Sequence, residues 1–261
     1  MALKEFGVPG FDALVANADS DHLDTLELFN RLLREQRPFT HLRYADGEFM
    51  SIVGTSRSSF NADKHSYFHD TLGIALAKTL ATAAAKFDPD LYVGADFVAG
   101  GKEWAIENNL KSKINWTASQ VFVAGITSLA TLEFLRIIRA DNRRKVLVAC
   151  RESAPAARSL LATHIEIPAR DCWLSSGDVR PQFDHQAKLN ADTIFLFAAG
   201  MSSCVWGYEL HRQYPAATII DIGHLLSGAF GDHRRRWLKV KNCERWRAYE
   251  QLYIPLIRGD V

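Results

Sequence analysis

The sequence predicts an α/β fold, a mostly parallel β-sheet flanked by helices, and three features predict it. Short runs of apolar, β-branched and aromatic residues recur along the 261-residue chain. Stretches of helix length, with apolar residues at helical spacing, separate them. That alternation favours βαβ units, in which each strand is followed by a helix that returns the chain to the same end of the sheet. Neither an internal repeat nor a low-complexity linker divides the chain, so one domain over residues 1–261 is expected, ending in a basic segment, 231–261.

Residues 24–37 carry Leu26, Leu28, Phe29, Leu32 and Leu33 on a helical stripe, and 39–44 reads as the strand that follows. Residues 71–87 are rich in Ala and Leu and read as a helix, and Asp88-Pro89-Asp90 makes a turn before a short strand at 91–94. The order continues with a strand at 120–124, a helix at 129–139, a strand at 145–150 and a helix at 154–161. Strands at 164–168 and 193–199, a helix at 203–213 and a last strand at 217–222 complete it.

A hydrophobic share of 48% is enough for a full core. The most apolar stretches, 72–85 and 193–206, are interrupted by Lys78 and Gly200, so no membrane span is expected. Met1-Ala2-Leu3-Lys4-Glu5 lacks the basic-then-apolar order of a signal peptide, and a cytoplasmic setting is expected. Cys150, Cys172, Cys204 and Cys243 lie far apart without a C-x-x-C pair. They read as reduced structural thiols, suited neither to a zinc ribbon nor to a disulfide scaffold.

In open α/β sheets ligands gather beyond the carboxyl ends of the strands, and four such loops are chemically loaded. In Arg43-Tyr44-Ala45-Asp46-Gly47-Glu48 two carboxylates stand two residues apart around a glycine, with an arginine upstream. Asp and Glu offer hard oxygen ligands to Mg²⁺ or Mn²⁺, Gly47 would let the backbone turn, and Arg43 offers forked donors to a phosphate. Arg151-Glu152-Ser153 follows the strand at 145–150 and precedes a helix. It reads equally as a phosphate or ribose contact and as a plain helix cap. Gly200-Met201-Ser202-Ser203 is a small turn opening a helix, without the G-x-G-x-x-G spacing of a dinucleotide site. Asp221-Ile222-Gly223-His224 places an acid and an imidazole about a glycine, as metal ligand, nucleotide contact or general base. Asp96 and Asp178 read as ordinary loop acids.

The segment Arg43 to Glu48 resembles the R-[FY]-[GA]-D-G-E signature of the GT-D glycosyltransferases, small bacterial and phage enzymes of Rossmann-like fold. The stretch from Ile194 through Phe197-Ala198-Ala199-Gly200 to Ile219-Ile220-Asp221-Ile222-Gly223-His224 is similar to that family's late strand, glycine turn, helix and final D-[IV]-G-[HS] strand end. The resemblance spans about residues 24–230. The chain departs from the pattern at Ala45, where glycine is commoner, and at Leu225-Leu226-Ser227 after the histidine.

The resemblance implies a hexosyl transfer from a nucleoside diphosphate sugar, UDP-glucose, to an acceptor hydroxyl. Mn²⁺ or Mg²⁺ would be held by Asp46 and Glu48, directly or through water, and would offset the charge that builds on the leaving diphosphate. Arg43, Gly47, Arg151, Glu152, Ser153, Gly200 and Ser202 would surround the nucleotide. If configuration inverts, Asp221, His224 and Glu152 are alternative bases for the acceptor proton. The implied acceptor is a glycan or a glycosylated protein, inside a bacterium or a phage-infected cell.

The tract from His233 to Arg247 is strongly basic in a chain of net charge +1. It fits a solvated helix, an anionic membrane surface or nucleic acid, which keeps hydroxymethylated bases of phage DNA as a second acceptor class. A methyltransferase-like nucleotide enzyme would use the same strand-end loops without the acidic pair or a metal, and a noncatalytic binding module would keep the basic tract without the metal. Asn115-Trp116-Thr117 is a sequon that a cytosolic chain carries by chance, and Trp104 and Trp116 read first as core or lid residues.

Overall fold

The computed structural model describes residues 22–54, 70–96, 100–124, 129–226 and 255. Among the described residues seven strands form one sheet: β1 (Thr40–Tyr44), β2 (Leu91–Ala95), β3 (Asn115–Ala118), β4 (Lys145–Cys150), β5 (Thr163–Ile167), β6 (Ile194–Phe197) and β7 (Thr218–Asp221). Their spatial order is β3-β2-β1-β7-β6-β4-β5, and every pairing is parallel. The first described strand therefore sits beside the last described one, in the interior of the sheet.

The strands read as near-continuous apolar runs because both faces are covered. Alternate residues divide between two layers. Leu147, Ala149, Ile220 and Ile222 join the core under α1 (His22–Arg34), α5 (Val121–Ala124), α6 (Leu129–Ala140) and α7 (Ala154–Ser159). On the other face, α2 (Asp46–Val53), α3 (Asp70–Ala83) and α4 (Gly101–Glu107) pack over Leu42, Tyr44 and Val93. There α8 (Ser176–Leu189) and α9 (Ser202–Gln213) cover Val146, Val148 and Ile219. Among the described residues no helix is long and apolar enough to cross a membrane.

Three sequence expectations are corrected. The third strand is Asn115–Ala118, not 120–124, where Val121–Ala124 is a helical turn. Strand propensity of Val121 and Phe122 is overridden by burial against α6, where the Phe122 and Phe134 rings lie 4.9 Å apart. Residues 46–53 are a helix rather than a turn, so Gly47 lies in ordinary helical backbone and is not needed as a hinge. Asp178 belongs to the first turn of α8, a helix that Gly177 and Pro181 disguise in the sequence. The sequon is structural: Asn115 is buried and its amide donates to the carbonyls of Asp88 (2.9 Å) and Leu91 (3.0 Å). Trp116 is buried in β3, and Trp104 packs partly buried on the core beneath α3. Cys150, Cys172 and Cys204 are free thiols. Cys243 and the tract 233–247 lie outside the described residues.

Candidate functional site

The loops after β1, β7, β6 and β4 stand side by side along the carboxyl edge of the sheet, because those four strands are consecutive neighbours. Strands about 4.8 Å apart spread the four loops over roughly 14 Å. That is the reach of a nucleoside diphosphate.

At the end of β1 the chain turns directly into α2. Ala45 caps the helix with φ −96, so the alanine found in place of glycine is unstrained. Asp46 Oδ1 accepts the Gly47 N–H at 2.9 Å, and Glu48 folds back so that Oε2 accepts the Ala45 N–H at 2.9 Å. Glu48 is buried and Asp46 half-buried. Helical positions two apart do not face one another, so the two carboxylates diverge from their helix rather than pinching a common point. Gly47 faces Met201 of the β6–α9 turn, whose Sδ would lie 3.5 Å from an added Cβ, and Ser51 donates to the same sulfur at 3.3 Å. The two loops the sequence singled out are thus packed together.

Arg43 and Asp221 bring the ends of β1 and β7 into one electrostatic unit. Asp221 is buried, and its Oδ1 accepts the Gly223 N–H at 2.9 Å. Gly223 adopts φ +50, and a Cβ there would stand 3.3 Å from Arg43 Cζ, so the glycine lets the guanidinium lie flat beneath the turn. Arg43 as a residue keeps some exposure, yet its Nε is fully enclosed and has no hydrogen-bond partner. Asp221, Glu48 and Asp46 all act on this single guanidinium. Three carboxyl groups thus face one arginine. Burial pushes the Asp221 carboxyl up to about 7, more than Arg43 and the Gly223 N–H offset, and burial pushes Glu48 up as well. Cys204, whose thiol donates to the Arg43 carbonyl at 3.1 Å, is held well above the usual thiol range by burial and the same acids, so it stays protonated and is no nucleophile.

The remaining sequence candidates are spread along the edge. Arg151 and Glu152 are exposed on a short 3₁₀ turn after β4, and half-buried Ser153 caps α7 without a side-chain hydrogen bond. Gly200 opens α9 with φ +57. Ser202 is buried, its hydroxyl turned inward to accept the Cys172 S–H at 3.4 Å, which leaves only its backbone for the crevice. His224 is half-buried on the turn after β7. Asp96, beyond the end of β2, has its N–H bonded to the Tyr44 carbonyl (3.0 Å) and its Oδ2 bonded by Gln120 (3.1 Å). Sequence reasoning gave it no role because strand order is invisible in one sequence.

Among the described residues no three of His, Cys, Asp and Glu converge as a ready metal cage. The donor set nevertheless fits a hard divalent cation. Mg²⁺ and Mn²⁺ are commonly held by one or two carboxylates with water and substrate phosphate completing the shell.

A hydroxyl–imidazole–carboxylate chain occurs at the opposite edge. Thr40 Oγ1 lies 2.9 Å from His211 Nδ1, and His211 Nε2 lies 2.9 Å from Asp88 Oδ2. Thr40 is fully buried at the start of β1. No substrate reaches it, so the chain ties α9 to the sheet and is not a nucleophilic triad.

An open, all-parallel α/β sheet with a charged crevice at its carboxyl edge defines the class of protein. No family profile matches the chain, and no curated protein matches it. Two solved structures do. One is a selenomethionine-substituted structure of domain of unknown function 1792, with TM-score 0.56 and 13% identity over 96% of this chain and 95% of that one. The other is described as the highly conserved domain of unknown function 1792 with a distinct glycosyltransferase fold, with TM-score 0.54 and 14% identity over 96% and 95%. The likeness covers nearly the full length of both chains, and what this protein shares with them is that glycosyltransferase-type fold.

Proposed function

We propose that the protein is a metal-dependent glycosyltransferase that moves a hexose from a nucleoside diphosphate sugar, UDP-glucose being the first candidate, to an acceptor hydroxyl on a glycan. One observation carries the reading. At the junction of β1 and β7, half-buried Arg43 stands among the carboxyl groups of Asp221, Glu48 and Asp46 at the carboxyl edge of the sheet. A partly exposed guanidinium suits phosphoryl oxygen and the neighbouring carboxylates suit a divalent cation, so a metal diphosphate complements both. A bound cation would supply electrostatic stabilisation of the leaving diphosphate.

The residues divide the work accordingly. Asp46, half-buried at the start of α2, would hold the cation, with Glu48 behind it as a fixed negative charge acting through water. Arg43 orients the diphosphate, and Gly200 and Arg151 line the route along β6 and β4 for the nucleoside. If transfer inverts configuration, an acceptor proton must be taken. Asp221, beside Arg43, and His224, on the turn after β7, are the candidates for that role, whereas Glu152 follows β4, two strands away.

The test is direct. The protein is incubated with a panel of nucleoside diphosphate sugars and Mn²⁺, and release of free nucleoside diphosphate is followed. Slow hydrolysis of one donor that stops on chelation supports the proposal. No release with any donor, and no binding of any nucleoside diphosphate with metal present, overturns it.

A further inference from the structure

The crevice has two unlike ends. Away from β1 toward β4 it carries a glycine turn at a helix start and the exposed Arg151, which suit phosphate and nucleoside. Toward β3 it carries an acid and an amide. Asp96 follows Ala95, which pairs with Tyr44, so its backbone stands about one strand spacing, roughly 5 Å, from the start of α2. Gln120 follows β3, whose Ala118 pairs with Ala95, and its Nε2 donates to Asp96 Oδ2 at 3.1 Å. The Asp96 N–H is fixed on the Tyr44 carbonyl, so backbone and side chain are both anchored. Charge decides what each end receives: a second carboxylate repels a diphosphate but accepts hydrogen bonds from neutral hydroxyls, and an adjacent amide both donates and accepts.

We propose that Asp96 and Gln120 bind hydroxyl groups of the sugar being transferred and so set which hexose the protein accepts. The inference rests on the glycosyltransferase reading above. The diphosphate centred on Arg43 and Asp46 then points its nucleoside toward β6 and β4 and its sugar toward β2 and β3. Asp96 is the specificity acid of the sugar end, and Gln120 is its positioning partner and second hydroxyl contact. Discrimination follows because a site built to bond a hydroxyl disfavours an epimer whose hydroxyl points elsewhere.

The experiment uses the full chain with Mn²⁺ and compares wild type, Asp96→Asn and Gln120→Ala. Binding of UDP is measured by calorimetry, and hydrolysis of UDP-glucose, UDP-galactose and UDP-N-acetylglucosamine is measured as kcat/KM. Thermal melts confirm that each variant folds. The expected result is an unchanged UDP Kd in both variants with roughly tenfold or greater loss of kcat/KM for the preferred sugar, the size of one hydrogen bond to a charged group. Preference between the C4 epimers should collapse. Retained preference in Asp96→Asn overturns the inference and leaves the glycosyltransferase reading intact. Loss of UDP binding in a folded variant also overturns it, because Asp96 would then serve the nucleotide. If wild type binds no nucleoside diphosphate, the functional reading fails and this inference with it, an outcome the wild-type measurement alone identifies.

Discussion

Replacing His41 by Leu should remove an acid sensitivity that the fold builds into its central strand. His41 is fully buried on the apolar face of β1, its ring centroid 4.8 Å from that of Phe29 and 6.0 Å from that of Phe122. Neither ring nitrogen has a hydrogen-bond partner. Burial first, and the Arg43 charge second, push its pKa down from 6.5 to about 3, and the weaker pull of the Asp221 main chain does not reverse this. Between those two values the unfolded chain binds a proton that the native protein refuses. Stability is therefore complete above pH 6.5 and falls as pH drops toward 3. At pH 5, about 1.5 pH units below the unfolded pKa, the loss is about 2 kcal/mol at 1.36 kcal/mol per unit. Leu fills a similar volume and has no polar atom to leave unsatisfied, so at pH 7 the variant should match wild type within about 1 kcal/mol. Urea unfolding at pH 7 and pH 5 measures both proteins, and the difference of differences isolates His41 from Asp221 and every other titrating group. Wild type should lose about 2 kcal/mol more than the variant on acidification, or roughly 4–8 °C in Tm for a chain of this size. Equal acid responses within about 0.5 kcal/mol would refute the reasoning and mean that the imidazole reaches a proton-stabilising partner.

Asp46→Asn should abolish donor hydrolysis while leaving the melt unchanged, and near wild-type turnover at low metal would make the pair structural. Glu48→Gln should do the same, because Gln keeps the bond to the Ala45 N–H, whereas Glu48→Ala should also cost about 1 kcal/mol of stability as the cap is lost. UDP with Mn²⁺ at a hundredfold excess over Kd should stabilise the protein by about 2.7 kcal/mol, visible as a thermal shift larger than that with either alone. Shifts that do not depend on metal would count against a bridging cation. Gly223→Ala should cost roughly 1–2 kcal/mol at φ +50 and should weaken UDP binding by displacing Arg43, from which its Cβ would stand 3.3 Å. Undiminished affinity in calorimetry would separate Arg43 from the phosphates.

The fold class was legible because the strands are buried on both faces and read as apolar runs, and 145–150 agrees residue for residue. Other features were hidden by chemistry that local pattern does not carry. Val121 and Phe122 look like a strand and form a helical turn because α6 offers them a partner surface. Asn-Trp-Thr-Ala drew no strand reading and is a strand, in which the Asn115 amide donates to neighbouring carbonyls. At the site, the residue types Arg, Asp, Glu and His were readable as strand-end chemistry. Their division was not: only the spatial order places Asp221 against Arg43, sets Asp96 beside the acidic turn and sends Glu152 two strands from β7. The inward bond of Glu48 and the inward hydroxyl of Ser202 depend on side-chain direction, which spacing does not report.

The pairing of β1 with β7 has a consequence for how the protein comes into being. β1 meets β7 over only two register pairs, Thr40 with Ile219 and His41 with Ile220, and that narrow seam is what unites Arg43 with Asp221. Contacts so distant along the chain close late, after the entropy of the long intervening loop has been overcome. A ribosome-bound chain stalled before β7 holds the acidic start of α2 without its counterpart. The crevice therefore exists only in molecules folded through to β7.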